Sequence, residues 1–492
     1  MKLTVVSITT ILFIALFFVS PVIAQEKWDL KKSVEYAWSH NVTIKQASIQ
    51  AGIDSLTLRQ SRLSQYPFAS ANTSLGLRFG RSIDPSTNQF TTTQFLSQQY
   101  NFQTNVTIFN WNNIKNNVLA ARYGSEASKM DIEKSKNDLA LNVASSYLQA
   151  LLAMEQIHVA EAQIQQTQGQ LLDTRKRVDA GSLPELNAVQ LEAQLATDSS
   201  NLITARANAE QNVLSLKALL YLDAAAAFEL DAPPVDKIPV DPIVELQPDF
   251  VFNMALKFQP AQKSNELRIK SLEASMKASH SLMYPTLLAF GGLGSNFSNS
   301  LKEIKNAQIV GYTPVDPGGS VAVGPAGAYY PIVSPDVKFT QGSKSFGKIW
   351  NGYSTQLSNN FGQNVGLQLS IPIFNGGQAN INYQKSKLNL QNAVVSREQI
   401  DQTLKQNIYQ AYNSAVAALQ KYNATQTTVA ATEKAFDFAT KRYNLGLLST
   451  LDLITSQTNV TKAKLDLLTS HYDYVFKMKV LEFYKGQGIR LQ

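Results

Sequence analysis

The sequence predicts an α+β membrane protein: a β-barrel of strands standing on a column of long α-helices, built from an internal tandem duplication. Three observations carry that expectation. The first is a change of period at Ser370-Ile371-Pro372-Ile373-Phe374-Asn375-Gly376-Gly377. Before it, Val365, Leu367, Leu369, Ile371 and Ile373 alternate with Asn364, Gly366, Gln368, Ser370 and Pro372, the period of a strand wetted on one side. After it, from about Gln378 to Tyr443, there is neither proline nor alternation, which reads as one helix about 100 Å long at ~1.5 Å per residue. The second observation is that this junction occurs twice. Phe109-Asn110 stands 265 residues before Phe374-Asn375, and the same shift brings Tyr147 onto Tyr412, Arg177 onto Arg442, Gly181 onto Gly446 and Leu186 onto Leu451. Nearer the N-terminus the shift is 218, carrying Ala37 onto Ala255 and Tyr66-Pro67 onto Tyr284-Pro285, so 47 residues are inserted between the paired strands of the second copy. The third is the strand count. Four alternating stretches cannot close a barrel, which needs about eight. An open sheet in lipid leaves its edge groups unpaired. Three copies give twelve strands, so the chain is expected as a homotrimer around a water-filled pore, with lipid against its apolar face.

Taken in order, Met1 to Ala24 reads as a secretory signal, with Lys2, an apolar core Ile11 to Val19 and Val22-Ile23-Ala24 at the cut. The first repeat follows over 25–221. Leu30 to Ser64 reads as amphipathic helix ending at Tyr66-Pro67. Ala69, Ala71, Thr73, Leu75, Leu77 and Phe79 then share one strand face. The returning strand presents Tyr100, Phe102, Thr104, Val106 and Ile108 on its apolar side. The long helix beyond carries a four-three seam from Leu139 and Val143 to Thr174 and Val178. Residues 222–249, with Pro233-Pro234, Pro239, Pro242 and Pro248, form a linker. The second repeat spans 250–484. Its third strand, Thr286 to Ser298, alternates less cleanly because Leu288 and Phe290 fall on the polar side. Its extra segment, about 299–360, has no sustained period and is expected as a long external loop. Its last helix has a seam from Leu451 to Val475, with Leu453, Val460, Leu467, Tyr474 and Leu481 on a second flank. A short tail, 485–492, ends the chain. The competing source of such alternation is a soluble sandwich with one solvated face, which gives no reason for each strand pair to feed so long a helix.

Charge and chemistry exclude several classes. The balance is 44 basic against 37 acidic residues, a formal +7 spread along helices, which argues against a nucleic-acid partner. With no cysteine there is no disulfide, thiolate metal site or lipid-bearing cysteine. His40, His158, His280 and His471 stand alone without ligand spacing, and no phosphate loop, dinucleotide fingerprint or carboxylate pair is present. The expectation is a non-enzyme without cofactor or metal.

The Tyr-Pro turns into the strands, the Pro372-Ile373-Phe374-Asn375-Gly376-Gly377 junction, the 265-residue register and both hairpin tips together resemble the TolC-like outer membrane efflux proteins. The likeness covers nearly the whole chain after the signal. It departs at the first junction, where Trp111-Asn112 replaces the glycine pair, and in the long loop. The resemblance implies a trimeric outer-membrane conduit with twelve strands and twelve periplasmic helices, docking on a periplasmic adaptor (membrane fusion) protein and an inner-membrane transporter. The function expected is a passive exit duct of a tripartite efflux pump for small toxic solutes, drugs or metals. Type I protein secretion is the alternative, and a barrel-anchored adhesive coiled-coil protein the reading from a different class. The resemblance also assigns sites. The tips Gly181, Ser182, Leu183, Gly446, Leu447 and Leu448 would dock the adaptor, flanked by Arg177 and Arg442. Phe109, Asn110, Pro372, Phe374, Asn375, Gly376 and Gly377 mark the strand-helix junctions. Asp452 would form an acidic ring at the periplasmic gate, with uncharged Thr455 where a second acid is common and uncharged Asn187 as its repeat mate. Against the ring stands a helix cap, Ser449-Thr450-Leu451-Asp452.

Overall fold

A computed structural model of the chain describes residues 27–83, 90–231, 235, 238–315, 321–323 and 329–486. The expected signal segment, 1–24, and most of the expected tail lie outside them. The helices are α1 (Leu30–His40), α2 (Val42–Leu63), α3 (Asn113–Asp179), α4 (Glu185–Leu220), α5 (Pro248–Phe258), α6 (Pro260–Ser281), α7 (Phe346–Ile349), α8 (Tyr353–Asn359), α9 (Gln378–Asn444) and α10 (Thr450–Lys485). The strands are β1 (Phe68–Ile83), β2 (Phe90–Phe109), β3 (Thr286–Ser300), β4 (Lys302–Pro314), β5 (Val321–Val323), β6 (Tyr329–Pro331), β7 (Val333–Ser343) and β8 (Gly362–Ser370). Helix bounds recur to the residue: α1 and α2 reappear 218 positions later as α5 and α6, and α3 and α4 reappear 265 positions later as α9 and α10. The single helix expected over Leu30 to Ser64 is two. Asn41 is extended, ends α1, and accepts the Thr43 N–H on its side chain at 2.8 Å to start α2. In the second copy Gln259, before Pro260, makes the same break.

One compact unit comprises Arg59–Val118 and Ser275–Gln384. Its main sheet is antiparallel in the order β1-β2-β3-β8. Pairing carries the alternation from strand to strand: Ala71 lies opposite Phe102 and Phe102 opposite Leu293, while Val106 faces Ala289 and Ala289 faces Leu367. One face is therefore apolar and bare, with Leu75, Leu77, Phe79, Val365 and Leu367 exposed. The other is polar, with Asn72, Asn101, Gln103 and Asn364 around Gly292 and Gly294. The imperfect alternation of β3 has a local cause. Phe290 lies on the polar side over Gly366, where a Cβ would sit 2.7 Å from its ring.

Three expectations are corrected. The last strand stops at Ser370, opposite Thr286 where β3 begins, and does not extend to Ile373; Pro372 also lacks a backbone donor. A bulge between Thr107 and Phe109 sets Phe109 opposite Leu287, on the apolar face that plain alternation gives to Ile108. The segment 299–360 is not a structureless loop. It holds the β4–β7 ribbon, the β5–β6 pair, α7 and α8. Register slips at Ile304/Asn306 and Ile309/Gly311 reset the ribbon's alternation and hide its period in the sequence. The segment leaves β3 at Ser300, opposite Phe95, and its last part folds back on that strand. Phe297 is buried against Trp350 and Tyr353. Beyond Gly294, opposite Gly362 where β8 begins, side chains meet the free edge of β3. The Ser298 N–H donates to Gln356 Oε1 at 3.0 Å, and Asn360 Nδ2 donates to the Asn296 carbonyl at 2.7 Å.

The other unit comprises Met1–Leu58, Leu119–Ala274 and Lys385–Gln492. One core gathers Leu30, Ala37, Leu139, Val143, Tyr147, Leu151, Leu216, Leu220 and Val475. A second gathers Leu246, Val251, Ala255, Ile408, Met478 and Leu481. Of the seam expected on α10, Ile454, Tyr472 and Val475 are buried, while Leu451 and Thr458 are exposed; Leu453, Val460 and Leu481 of the second flank are buried. The segment after α4 is fastened by opposite charges at two positions 265 residues apart. Lys217 donates to the carbonyls of Ala224 and Ala226, and Glu482 accepts the Asp241 N–H at 2.8 Å while pairing with buried Lys479 at 2.7 Å.

Candidate functional site

The two helical hairpins turn through identical backbone. Gly181 and Gly446 have φ of 73° and 75°, the left-handed region that glycine reaches without a Cβ penalty. Gly181 N–H bonds the Val178 carbonyl (2.8 Å) and Ser182 N–H the Arg177 carbonyl (2.9 Å). Gly446 and Leu447 repeat this on Tyr443 and Arg442, both at 2.9 Å. Each pair is a Schellman cap, which satisfies the last carbonyls of a long helix. Apolar residues follow, but unequally: Leu447 is exposed, whereas Leu183 and its repeat mate Leu448 are half-buried.

The tip arginines are tied into the turns. Arg177 pairs with Asp173 at 3.2 Å and donates to the carbonyl and side chain of Asn444, linking one turn to the other. Arg442 donates to the Leu447 carbonyl at 3.4 Å. Nearby, Thr174 and Tyr443 share a hydrogen bond of 3.0 Å, and Thr450 donates to the same tyrosine oxygen.

Asp452 sits at the start of α10 in the cap geometry. Ser449 Oγ accepts the Asp452 N–H at 3.1 Å and donates to the Asp452 carboxylate at 2.7 Å. The carboxylate nevertheless remains exposed. Thr455 is exposed too, its hydroxyl turned back to the Leu451 carbonyl (2.9 Å). Asn187 is half-buried at the start of α4, where Pro184 occupies the cap position without a side-chain acceptor.

Sequence reading missed two arrangements here. Arg175 bridges the first hairpin to Glu185 (2.8 Å) and to Glu192, and those carboxylates hold its guanidinium above an already high ordinary value, so it stays charged. Deeper in, buried Asp198 accepts from Thr167 (2.6 Å) and Gln194 (2.8 Å), while Gln457 donates to Thr167 at 3.0 Å and Thr461 to Gln163. Gln457 Oε1 is buried without a partner. The signal was the threonine at a seam position, Thr167, but its partners come from helices far away in sequence.

The junction residues form a matched pair in the sheet unit. Trp111 and Asn112 have φ of 52° and 64°, and Gly376 and Gly377 have 65° and 77°. Asn110 and Asn375 accept from the first residue of the helix that follows. Pro372 ends the alternation, and Ile373 and Phe374 are exposed. Among the described residues no cluster of histidine, cysteine or acid could hold a metal ion, and no helix is long and apolar enough to cross a membrane.

Comparison with known proteins fits this architecture. The family model for outer membrane efflux proteins matches residues 42–220 and 327–485. Outer membrane protein TolC of Escherichia coli is 24% identical over 346 residues, 70% of this chain; the chain spans 60% of that relative's length. Alkaline protease secretion protein AprF of Pseudomonas aeruginosa is 32% identical over 133 residues, a quarter of each chain. A crystal structure of CusC superposes with a TM-score of 0.70 at 17% identity, covering 94% of this chain and 92% of CusC. The chain belongs to the outer membrane efflux protein family.

Proposed function

We propose that three copies of this chain close into a twelve-stranded barrel continuous with a periplasmic helical barrel, forming the passive exit duct of a tripartite pump that exports small toxic solutes, drugs or metals. The observation that carries this is the sheet with two free edges. In lipid, β1 and β8 would each leave a row of unpaired backbone groups at several kcal/mol apiece, and a neighbouring copy is the natural partner for both. The bare apolar face would meet lipid, and the polar face with its glycines would line the pore. The helix bounds that recur at shifts of 218 and 265 support descent from a tandem duplication, with repeats 25–221 and 250–484 joined by 222–249. Mass measurement in mild detergent should give a trimer, and planar bilayers containing it should conduct steadily. A stable monomer or an impermeable trimer removes this reading.

The tips are the proposed contact with a periplasmic adaptor, and through it an inner-membrane transporter. Leu447 is the more exposed of the two leucines, so Leu447→Asp should abolish export and leave the trimer intact, with Leu183→Asp weaker. Undiminished toxicant resistance in Leu447→Asp cells would remove the docking role. The likeness to a protein named for protease secretion favours type I protein secretion as a second reading. Deleting the gene separates the two: sensitivity to toxicants with an unchanged secreted-protein profile supports the pump, and the reverse supports secretion.

A further inference from the structure

We propose that the cleft at the first strand-to-helix junction binds the phosphate of an anionic phospholipid in the periplasmic leaflet. The cleft has a volume of about 440 Å³, and its lining includes Trp111, Lys115, Asn116, Lys277, His280 and Tyr383, with no acidic side chain. Lys115 and Lys277 are both exposed, and among the described residues neither has a carboxylate partner. By contrast, Lys134, Lys270, Lys441 and Lys464 each lie within 3.0 Å of an acid. Two ammonium groups and no carboxylate in one cleft make it a basic site open to an anion.

The walls are fixed rather than fluid. Ser281 Oγ donates to the Trp111 carbonyl at 2.8 Å, and Asn113 Nδ2 donates to the Ala278 carbonyl at 2.7 Å, so the start of α3, which carries Lys115, and the end of α6, which carries Lys277, are pinned together. The location identifies the anion. The bulge in β2 turns Phe109 onto the apolar face of the sheet, and an unbroken run of rings leads from it into the cleft. Phe109 meets Trp111 at 5.2 Å, Trp111 meets Tyr284 at 5.0 Å, Tyr284 meets His280 at 5.3 Å and His280 meets Tyr383 at 4.9 Å. Tryptophan and tyrosine collect at headgroup depth, where an apolar ring body and a polar edge are both satisfied. Lysines at the same depth reach the phosphates, and basic pockets there select headgroups of net negative charge. A zwitterionic headgroup offers the two lysines no net charge. The inference rests on the apolar face lying in lipid.

The test is native mass spectrometry of the full chain released from detergent, offered phosphatidylglycerol, phosphatidylcholine or inorganic phosphate. Wild type should retain phosphatidylglycerol in preference to phosphatidylcholine, and Lys115→Gln/Lys277→Gln should weaken that retention on the order of tenfold or more. Equal retention by wild type and variant, or displacement of the lipid by millimolar inorganic phosphate alone, overturns the proposal. If the double variant does not assemble, wild type decides: no preference for the anionic lipid overturns it. Conductance of wild type in phosphatidylcholine bilayers is recorded on the same preparation. A protein that conducts without preferring phosphatidylglycerol loses this site and keeps the duct, and one that prefers it without conducting does the opposite.

Discussion

The two strand-to-helix junctions follow one backbone path with different side chains. In the second, Gly376-Gly377 takes the left-handed turn at no steric cost. In the first, tryptophan and asparagine take it, and a non-glycine residue there is strained by about 1–2 kcal/mol. The hydrogen bonds are nevertheless matched: Asn116 N–H to the Asn112 carbonyl at 2.8 Å, Ile381 N–H to the Gly377 carbonyl at 2.9 Å. What differs is the support. The Trp111 ring meets Phe109 and Tyr284, each such contact worth ~0.5–1.5 kcal/mol, and Ser281 bonds its carbonyl. At Gly376 a Cβ would meet nothing within 4 Å. The lesson is that the same turn geometry can be held by packing where glycine is absent, and the residue there then carries chemistry that glycine cannot.

The sharpest way to break that comparison is at Trp111. Trp111→Ala should lose about 2–3 kcal/mol, since the ring contacts go and the left-handed strain stays. Trp111→Gly loses the same contacts but sheds the strain, so it should be milder by ~1 kcal/mol. Thermal unfolding in detergent of the two variants gives the order. A glycine variant less stable than the alanine variant means that the backbone at Trp111 is not strained.

A second repeat-related pair divides the same way. Tyr147 is buried, and its hydroxyl shares a proton between the carbonyls of Trp28 (3.0 Å) and Asp231 (2.5 Å). Tyr412 accepts only a longer contact of 3.3 Å from Gln247. Tyr147→Phe should therefore cost about 1–2 kcal/mol and Tyr412→Phe less than about 0.5. Burial, then the nearby charge of Asp231, pushes the Tyr147 hydroxyl well above its ordinary value of 10. The folded state thus holds the neutral phenol. Its contribution is whole below about pH 10 and is lost as the pH rises above that, where the unfolded chain ionises first. Alkaline unfolding should begin at lower pH in wild type than a Tyr147→Phe background corrected for its neutral-pH cost would give; coincident alkaline limbs exclude the linkage.

Much of this was legible because the period is a direct image of which face each side chain takes. Val365, Leu367 and Leu369 alternate since one sheet face is apolar and the other polar, and the long helices run unbroken to the glycine caps that the sequence displays at Gly181 and Gly446. What stayed hidden depends on single residues or distant partners. The extra residue that turns Phe109 outward leaves the composition unchanged. Asn41 breaks a helix with one side chain, although Pro260 in the second copy marks the same break openly. Two register slips erase the ribbon's alternation. At the tips the sequence located the turns but not the link from Arg177 to Asn444, because nothing local identifies a partner 267 residues away.

The smallest expected effect separates the two hairpin starts. Asp452 and Asn187 occupy equivalent places, but only Asp452 has a serine cap to bond, so its carboxylate contributes at a helix N-terminus ~0.3–1 kcal/mol. Asp452→Asn should cost no more than that in thermal unfolding. If three copies also face one another at a pore constriction, the variant has a larger effect on permeation than on stability. The carboxylates would gather divalent cations at the axis, and the ring's single acid per chain, with Thr455 uncharged, makes the cation selectivity modest. Single-channel conductance of wild type and Asp452→Asn, with and without millimolar Mg²⁺, tells the roles apart. Block that falls in the variant assigns a gate. Equal block in both leaves Asp452 as a cap, and then Asn187→Asp, which gains the helix-end charge but has no serine to bond, should leave conductance unchanged and shift stability by no more than ~1 kcal/mol.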